Sequence, residues 1–388
     1  MPIPRRRPRT VLLALELPHK ESTAADCRLH GPVVRGCFSR CNHYTPCLVR
    51  PKDIAQLDRA VFKAVEANGS FGFGQALLAG SPAHRRLYSR YQQGRLALRI
   101  TGPLQDGFWV RATVVLAQAH MAQLMGLPLS VAYRSTFDSY DNRLQAQDGW
   151  GQYFEPINAD WPKEDLVQFD CALAASAWHR SATYAYRHST SMTQRAWRTR
   201  MVQKLPINPR PHFWRAADDF WVAHGVDKEA KVLGVHMRGT DKKCHAQPKA
   251  YLKFARAFAC HTPSAIIFIA TDDRAMIEEV RATWRLNATC GRQQPRLLWR
   301  DVLRGFGRFN AGVYADNRRL NLTSASDATK LGAEVLIDTL LLARSSFLVG
   351  SNSAVVNYAM YFNPQLQNNS YLLDVSGQPR PPWLRYGS

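Results

Sequence analysis

The second half of the chain alternates between short apolar runs and longer amphipathic stretches. KVLGVHM (231–237), SAIIFIAT (264–271), PRLLWR (295–300) and SFLVG (346–350) are apolar on consecutive positions. That pattern predicts strands buried on both faces, as in a parallel sheet. PKAYLKFARAFAC (248–260), DDRAMIEEVRATW (272–284), SDATKLGAEVLIDTLLLARS (326–345) and SAVVNYAMYF (353–362) repeat apolar residues at helical spacing. Strand and helix in strict alternation predict a doubly wound α/β domain.

The first half repeats the rhythm less regularly. IAQLDRAVFKAVEANG (54–69) places Ile54, Leu57, Val61, Phe62 and Val65 on one helical face and predicts a stop at Gly69. RLALRIT (95–101) reads as a strand, GPLQDG as a turn, WVRATVVLAQAHMAQLMG (109–126) as a helix and LPLSVAYR (127–134) as a strand. Residues 135–162 are polar and aromatic and read as a long loop. Trp150, Tyr153, Phe154 and Trp161 are either core plugs or a sugar-facing surface, with core the preferred role. Helical spacing returns over 171–204, and LPINPRP (205–211) is the candidate linker. The expected organisation is an irregular segment over 1–50, an N-terminal α/β domain over 51–205 and a C-terminal Rossmann-like domain over 212–376. A length of 388 residues suits two such domains.

Charge adds one constraint. The formal net charge is +21, which suits an acidic partner: nucleic acid, an anionic membrane or a nucleotide-linked substrate. No zinc-finger spacing or RNP-type aromatic motif occurs, so nucleic acid is not the expected partner. Cys27, Cys37, Cys41 and Cys47 crowd the N-terminal segment, and their spacing predicts disulfides rather than zinc. Sequons at Asn68, Asn287, Asn321 and Asn368 agree with a secretory route. The apolar stretch after RRRPRT is too short for a signal core or a membrane span, so any membrane anchor is missing from this sequence.

Candidate chemistry stands where the apolar runs stop, since ligands of open α/β sheets bind beyond the carboxyl ends of the strands. His236, Arg238 and Gly239 follow the first run, with Asp241, Lys242 and His245 after them. Asp272 and Asp273 follow the second, and Ser351, Asn352 and Ser353 the last. Strand alternation would set His236 and Arg238 on one face. Arg238 can grip a phosphate through two hydrogen bonds. Ser351 and Ser353 lead into a helix whose first amides favour an anion. Asp272 reads as a helix N-cap ahead of a catalytic role. Asp338 interrupts an apolar helix and must pair with something: a nearby Arg, or a base with adjacent ring N–H and amino donors such as guanine. No DxD triplet is present, so no metal and no cofactor are expected.

These residues resemble the α-1,6-fucosyltransferase family, which includes the rhizobial nodulation enzymes. HMRGTDK (236–242), ATDD (270–273), LIDTLLL (336–342) and FLVGSNS (347–353) match its motifs in order. The resemblance is confined mainly to the second half. It implies a GT-B-like fold of two Rossmann-type domains with parallel sheets facing a cleft. It also implies inverting, metal-independent transfer from GDP-fucose to a glycan or glycoprotein acceptor, in the Golgi lumen. By position, Arg238 would hold the β-phosphate, Asp338 meet the guanine and Ser353 touch the diphosphate. Asp241, Lys242, Asp272 and Asp273 fall on positions that matter for activity. Two departures stand out. The second Arg of the family's pair is Gly239, and Ala246 stands where the animal enzymes carry an acid, so the general base stays open between Asp241 and His245. Another nucleotide sugar, a non-catalytic sugar- or nucleotide-binding role, and nucleic-acid binding are the alternatives.

Overall fold

The computed structural model describes residues 55–100, 108–131, 149–157, 161–169, 207–239, 246–284, 286, 295–302, 304, 325–351, 353–375, 381 and 383. The N-terminal cysteine cluster, the 171–204 stretch, Asp241, Lys242, His245 and Asn352 lie outside them.

The first sheet is parallel and joins β1 (Ala55–Leu57), β2 (Ala97–Ile100), β3 (Leu129–Val131) and β4 (Leu166–Phe169) in the order β1-β4-β2-β3. The chain leaves β1 straight into α1 (Arg59–Ala79), because Asp58 accepts hydrogen bonds from the amides of Ala60 and Val61 and caps the helix there. The helix expected from residue 54 therefore begins after a short strand. It also runs past Gly69. Asn68 and Gly69 form a kink, Gly69 in the left-handed region at φ 57°, and the helix resumes because Phe73 and Leu77 bury against the same core. α2 (Pro82–Gln92) and α3 (Phe108–Met125) complete this half.

The second sheet holds β5 (Val232–Met237), β6 (Ile266–Thr271), β7 (Arg296–Leu298), β8 (Phe347–Gly350) and β9 (Ser370–Leu372). All pairs are parallel and the order is β7-β6-β5-β8-β9. Counted from β5, this is the 3-2-1-4-5 winding of a dinucleotide-type domain, with its switch point between β5 and β8. Every residue of β5 and β6 is buried, which explains their unbroken apolar runs. Around the sheet lie α4 (Pro211–Ala223), α5 (Pro248–His261), α6 (Arg274–Thr283), α7 (Ala325–Ala343) and α8 (Ala354–Phe362). The sequence reading missed α2, α4, β1, β4 and β9. Cys260, the one cysteine among the described residues, is disulfide-bonded. No helix among the described residues is long and apolar enough to cross a membrane.

An aromatic seam joins the two halves. Ile100 and Val131 from the first sheet share one core with Val232, Ile266 and Leu348 from the second. Trp109, at the start of α3, stacks on Tyr358 of α8 with ring centroids 4.1 Å apart and donates its indole N–H to Thr339 of α7 at 2.8 Å. The Tyr153 hydroxyl donates to the Thr329 carbonyl at 3.0 Å, and its ring fills the space that a side chain on Gly332 would need. Trp150, Tyr153 and Phe154 are fully buried, in the core role expected of them. Trp109→Ala removes a buried indole from this seam and should cost about 3–5 kcal/mol of stability. Urea unfolding checks it: the midpoint should fall with the slope unchanged.

Candidate functional site

Parallel pairing brings three strand ends side by side. His236 of β5 is level with Ala270 of β6 and Gly350 of β8, and Met237 is level with Thr271. The polar residues that follow these strands therefore start from one sheet edge, on both sides of the switch point. His236 is buried, and its Nδ1 lies 3.3 Å from the Ser353 hydroxyl across that point. Ser353 also caps α8 by accepting from the Val356 amide at 3.2 Å. The histidine thus braces the helix start whose remaining amides can meet an anion. Ser351, just before it, is half-buried.

β5 ends at Met237, one residue short of Arg238. Strand alternation therefore does not reach Arg238, which is half-buried in the loop beyond. Gly239 next to it donates its amide to Asp272 at 2.8 Å. That bond ties the loop after β5 to the loop after β6. A Cβ on Gly239 would sit 2.5 Å from the Asp273 Cβ, so the close approach requires glycine. An arginine at 239 has no room in this conformation.

The two aspartates divide the work differently from the sequence expectation. Asp273, not Asp272, is the N-cap of α6, accepting from the Ala275 amide at 2.9 Å. Its own amide donates to the Thr271 hydroxyl at 3.2 Å. Asp273 is fully buried, and its second oxygen has no hydrogen-bond partner. Asp272 is the loop brace, and the chain turn between the two carboxylates points them at different groups.

Asp338 meets the Arg expected as one of its two partners. Arg300, just past β7, contacts its carboxylate at 3.0 Å and the Glu334 carbonyl, one turn earlier on α7, also at 3.0 Å. Burial pushes the Asp338 carboxyl above its ordinary range, while Arg300 and then Arg304 pull it back. Arg304 donates to the carbonyls of Thr271 at 3.2 Å and of Arg300 at 2.6 Å. Through it the Arg300–Asp338 pair is fastened to the end of β6.

Three residues of this region escaped the sequence reading. Arg300 stands beyond an apolar run, the signal that singled out Arg238, and could have been found the same way. Arg304 follows no such run. Tyr251 reads as one more apolar residue on the face of α5. Its hydroxyl is buried beside Ser351, without a hydrogen bond of proper geometry, and burial then the charge of Asp374 push it to a higher pKa. It is a neutral phenol under the loop that leads to α8. Asp241, Lys242, His245 and Asn352 lie outside the described residues. Among those described, no group of three His, Cys, Asp or Glu side chains could hold a metal ion.

No family model and no curated protein sequence matches the chain. Among solved structures, the fucosyltransferase NodZ from Bradyrhizobium is similar at 16% identity and a TM-score of 0.38, covering 68% of this chain and 92% of that one. Arabidopsis thaliana FUT1 in complex with GDP gives 10% identity and 0.40, covering 84% and 80%. A family 9 glycosyl transferase from Veillonella parvula gives 8% identity and 0.33, covering 69% and 78%.

The contact between Gly239 and Asp273 yields a test. Gly239→Ala should cost about 1–3 kcal/mol, because the Asp273 cap cannot step aside. Combined with Asp273→Gly, which removes the clashing Cβ and is tolerated at an N-cap, the loss should be less than additive. A double-mutant cycle in urea measures that coupling.

Proposed function

We propose that this chain is a glycosyltransferase that moves fucose from GDP-fucose to a hydroxyl of a glycan or glycoprotein, with inversion and without a metal. The observation that carries the reading is the alignment of three polar loops on one sheet edge at the switch point. Arg238, the Asp272–Gly239 bond and the His236–Ser353 brace stand together there. An anion is the group such an edge suits, and the resemblance of HMRGTDK, ATDD, LIDTLLL and FLVGSNS to the fucosyltransferase motifs supports a nucleotide diphosphate.

In this reading the acceptor oxygen attacks the anomeric carbon from the face opposite the diphosphate. The bond from that carbon to the phosphate oxygen breaks, and the configuration inverts. Charge builds on the departing oxygen, where Arg238 and the free amides of α8 offset it. Asp241 or His245 takes the acceptor proton. The Asp338 carboxylate accepts from the ring N–H and amino group of guanine. The exposed sequons at Asn68 and Asn368 and the disulfide at Cys260 agree with passage through an oxidising compartment, the Golgi lumen in this proposal.

Isothermal titration with GDP, UDP and a short oligonucleotide, followed by assay of GDP-fucose turnover, tests the reading. GDP preference with turnover supports it. UDP preference marks a different donor, GDP binding without turnover a non-catalytic relative, and salt-sensitive oligonucleotide binding a nucleic-acid role. Arg238→Ala should weaken GDP about 10- to 100-fold through the lost charge-assisted hydrogen bonds. An unchanged affinity overturns the placement of the phosphate.

GDP affinity should also depend on pH. Protonation removes the second acceptor from Asp338, and its raised pKa brings that loss in at a higher pH than for an ordinary carboxylate. Titration from neutral to weakly acid pH should show GDP weakening, with the effect absent in Asp338→Asn.

A further inference from the structure

Asp338 stands in an apolar helix, next to Leu336, Leu340 and Leu341, all fully buried. A carboxylate in such surroundings ionises only if a cation or hydrogen-bond donors compensate it. Arg300 supplies both through one terminal nitrogen, which reaches Asp338 Oδ1 and the Glu334 carbonyl together. The two acceptors sit one helical turn apart, so the guanidinium is fixed along α7 at two points. Arg304 fixes the Arg300 main chain instead. It is buried and bonds to the main-chain carbonyls of Thr271, Val302 and Arg300 itself. The route from the end of β6 to Asp338 thus runs through the Arg304 hydrogen bonds, then along the Arg300 side chain to its contact with Asp338.

This bracket still leaves acceptor capacity. An ionised carboxylate offers about four lone-pair sites on its two oxygens, and Arg300 uses one. The Asp338 side chain keeps 13% of its surface exposed, and Arg300 18%. Part of the carboxylate side chain thus stays open to a ligand, and two adjacent N–H groups on a purine would fill acceptor sites that Arg300 leaves.

We infer that Arg300 is a positioning residue: by holding the Asp338 carboxylate ionised and fixed against the end of β6, it sets selectivity for guanine over hypoxanthine. The inference rests on the nucleotide-sugar reading and adds to it the residue that makes base recognition selective. Guanine presents a ring N–H and a 2-amino group to the carboxylate. Hypoxanthine keeps the ring N–H and lacks the amino group, so it forfeits one of the two hydrogen bonds. A carboxylate freed from Arg300 would turn away or take up a proton, and would lose the ability to tell the two bases apart.

The experiment is titration of GDP and inosine diphosphate into the full chain and three variants, from neutral to weakly acid pH. The wild type should prefer GDP about tenfold or more, as expected for one hydrogen bond to a charged acceptor. Asp338→Asn should bring the ratio close to one. Arg300→Met should do the same at neutral pH, and Arg300→Lys should recover part of the preference because it keeps the charge. In whichever Arg300 variant retains a preference, that preference should fade at a higher pH than in the wild type, a shift that a purely structural role would not produce. A wild type that fails to prefer GDP sinks the guanine reading itself. A wild type that prefers GDP, with Asp338→Asn collapsing the ratio and Arg300→Met leaving it intact, sinks only the role given to Arg300. If Arg300→Met does not fold, Arg300→Lys decides: a reduced ratio supports the inference and an unchanged one overturns it.

Discussion

Backbone hydrogen bonds from β5 to its two neighbours put His236 level with Ala270 on one side and Gly350 on the other. Side-chain period in a strand is two, so a slip of one residue would send every side chain to the opposite face. Gly234 of β5 opposes that slip, because a side chain in its place would meet the Ser345 hydroxyl at 2.6 Å. The position of each polar residue beyond the strand ends follows from this register. Arg238 begins where β5 ends, and Gly239 can reach Asp272 because Met237 is already level with Thr271. The His236–Ser353 contact likewise depends on β5 and β8 lying adjacent.

Much of the second half was legible in the sequence because its strands are buried on both faces. KVLGVHM and SAIIFIAT need no long-range information to be read as strands, and the helices between them carry clear apolar faces. The strands that escaped are the short ones. AQL, LVQF and SYL are too brief to establish a period, and they exist through pairing with partners distant in the chain. Gly69 read as a stop because glycine weakens a helix locally, whereas packing of Phe73 and Leu77 carries α1 past it. Tertiary contact overrode propensity there.

The candidate site shows the same division. Residue types at strand ends pointed to the edge where His236, Arg238, Asp272 and Ser353 gather. Which aspartate caps α6 could not be read from the pair, since both are good caps and only the backbone geometry separates them. The partner of Asp338 comes from a segment 38 residues away in sequence, and no local pattern announces it. Tyr251 is hidden for a further reason: its apolar neighbours on α5 explain it fully until the fold places Ser351 and two carboxylates around its hydroxyl.

The aromatic seam bears on how such a chain can change over evolutionary time. Trp109 and Tyr153 are contributed by the first half, and Tyr358, Thr339 and the bare surface of Gly332 by the second. Neither set is useful without the other, and a bulkier residue at 332 would shut out the Tyr153 ring. The halves are therefore not interchangeable cassettes. Recombination that swaps one for a distant counterpart must bring matching rings and a matching gap along with it, so diversification of this scaffold is channelled into its loops.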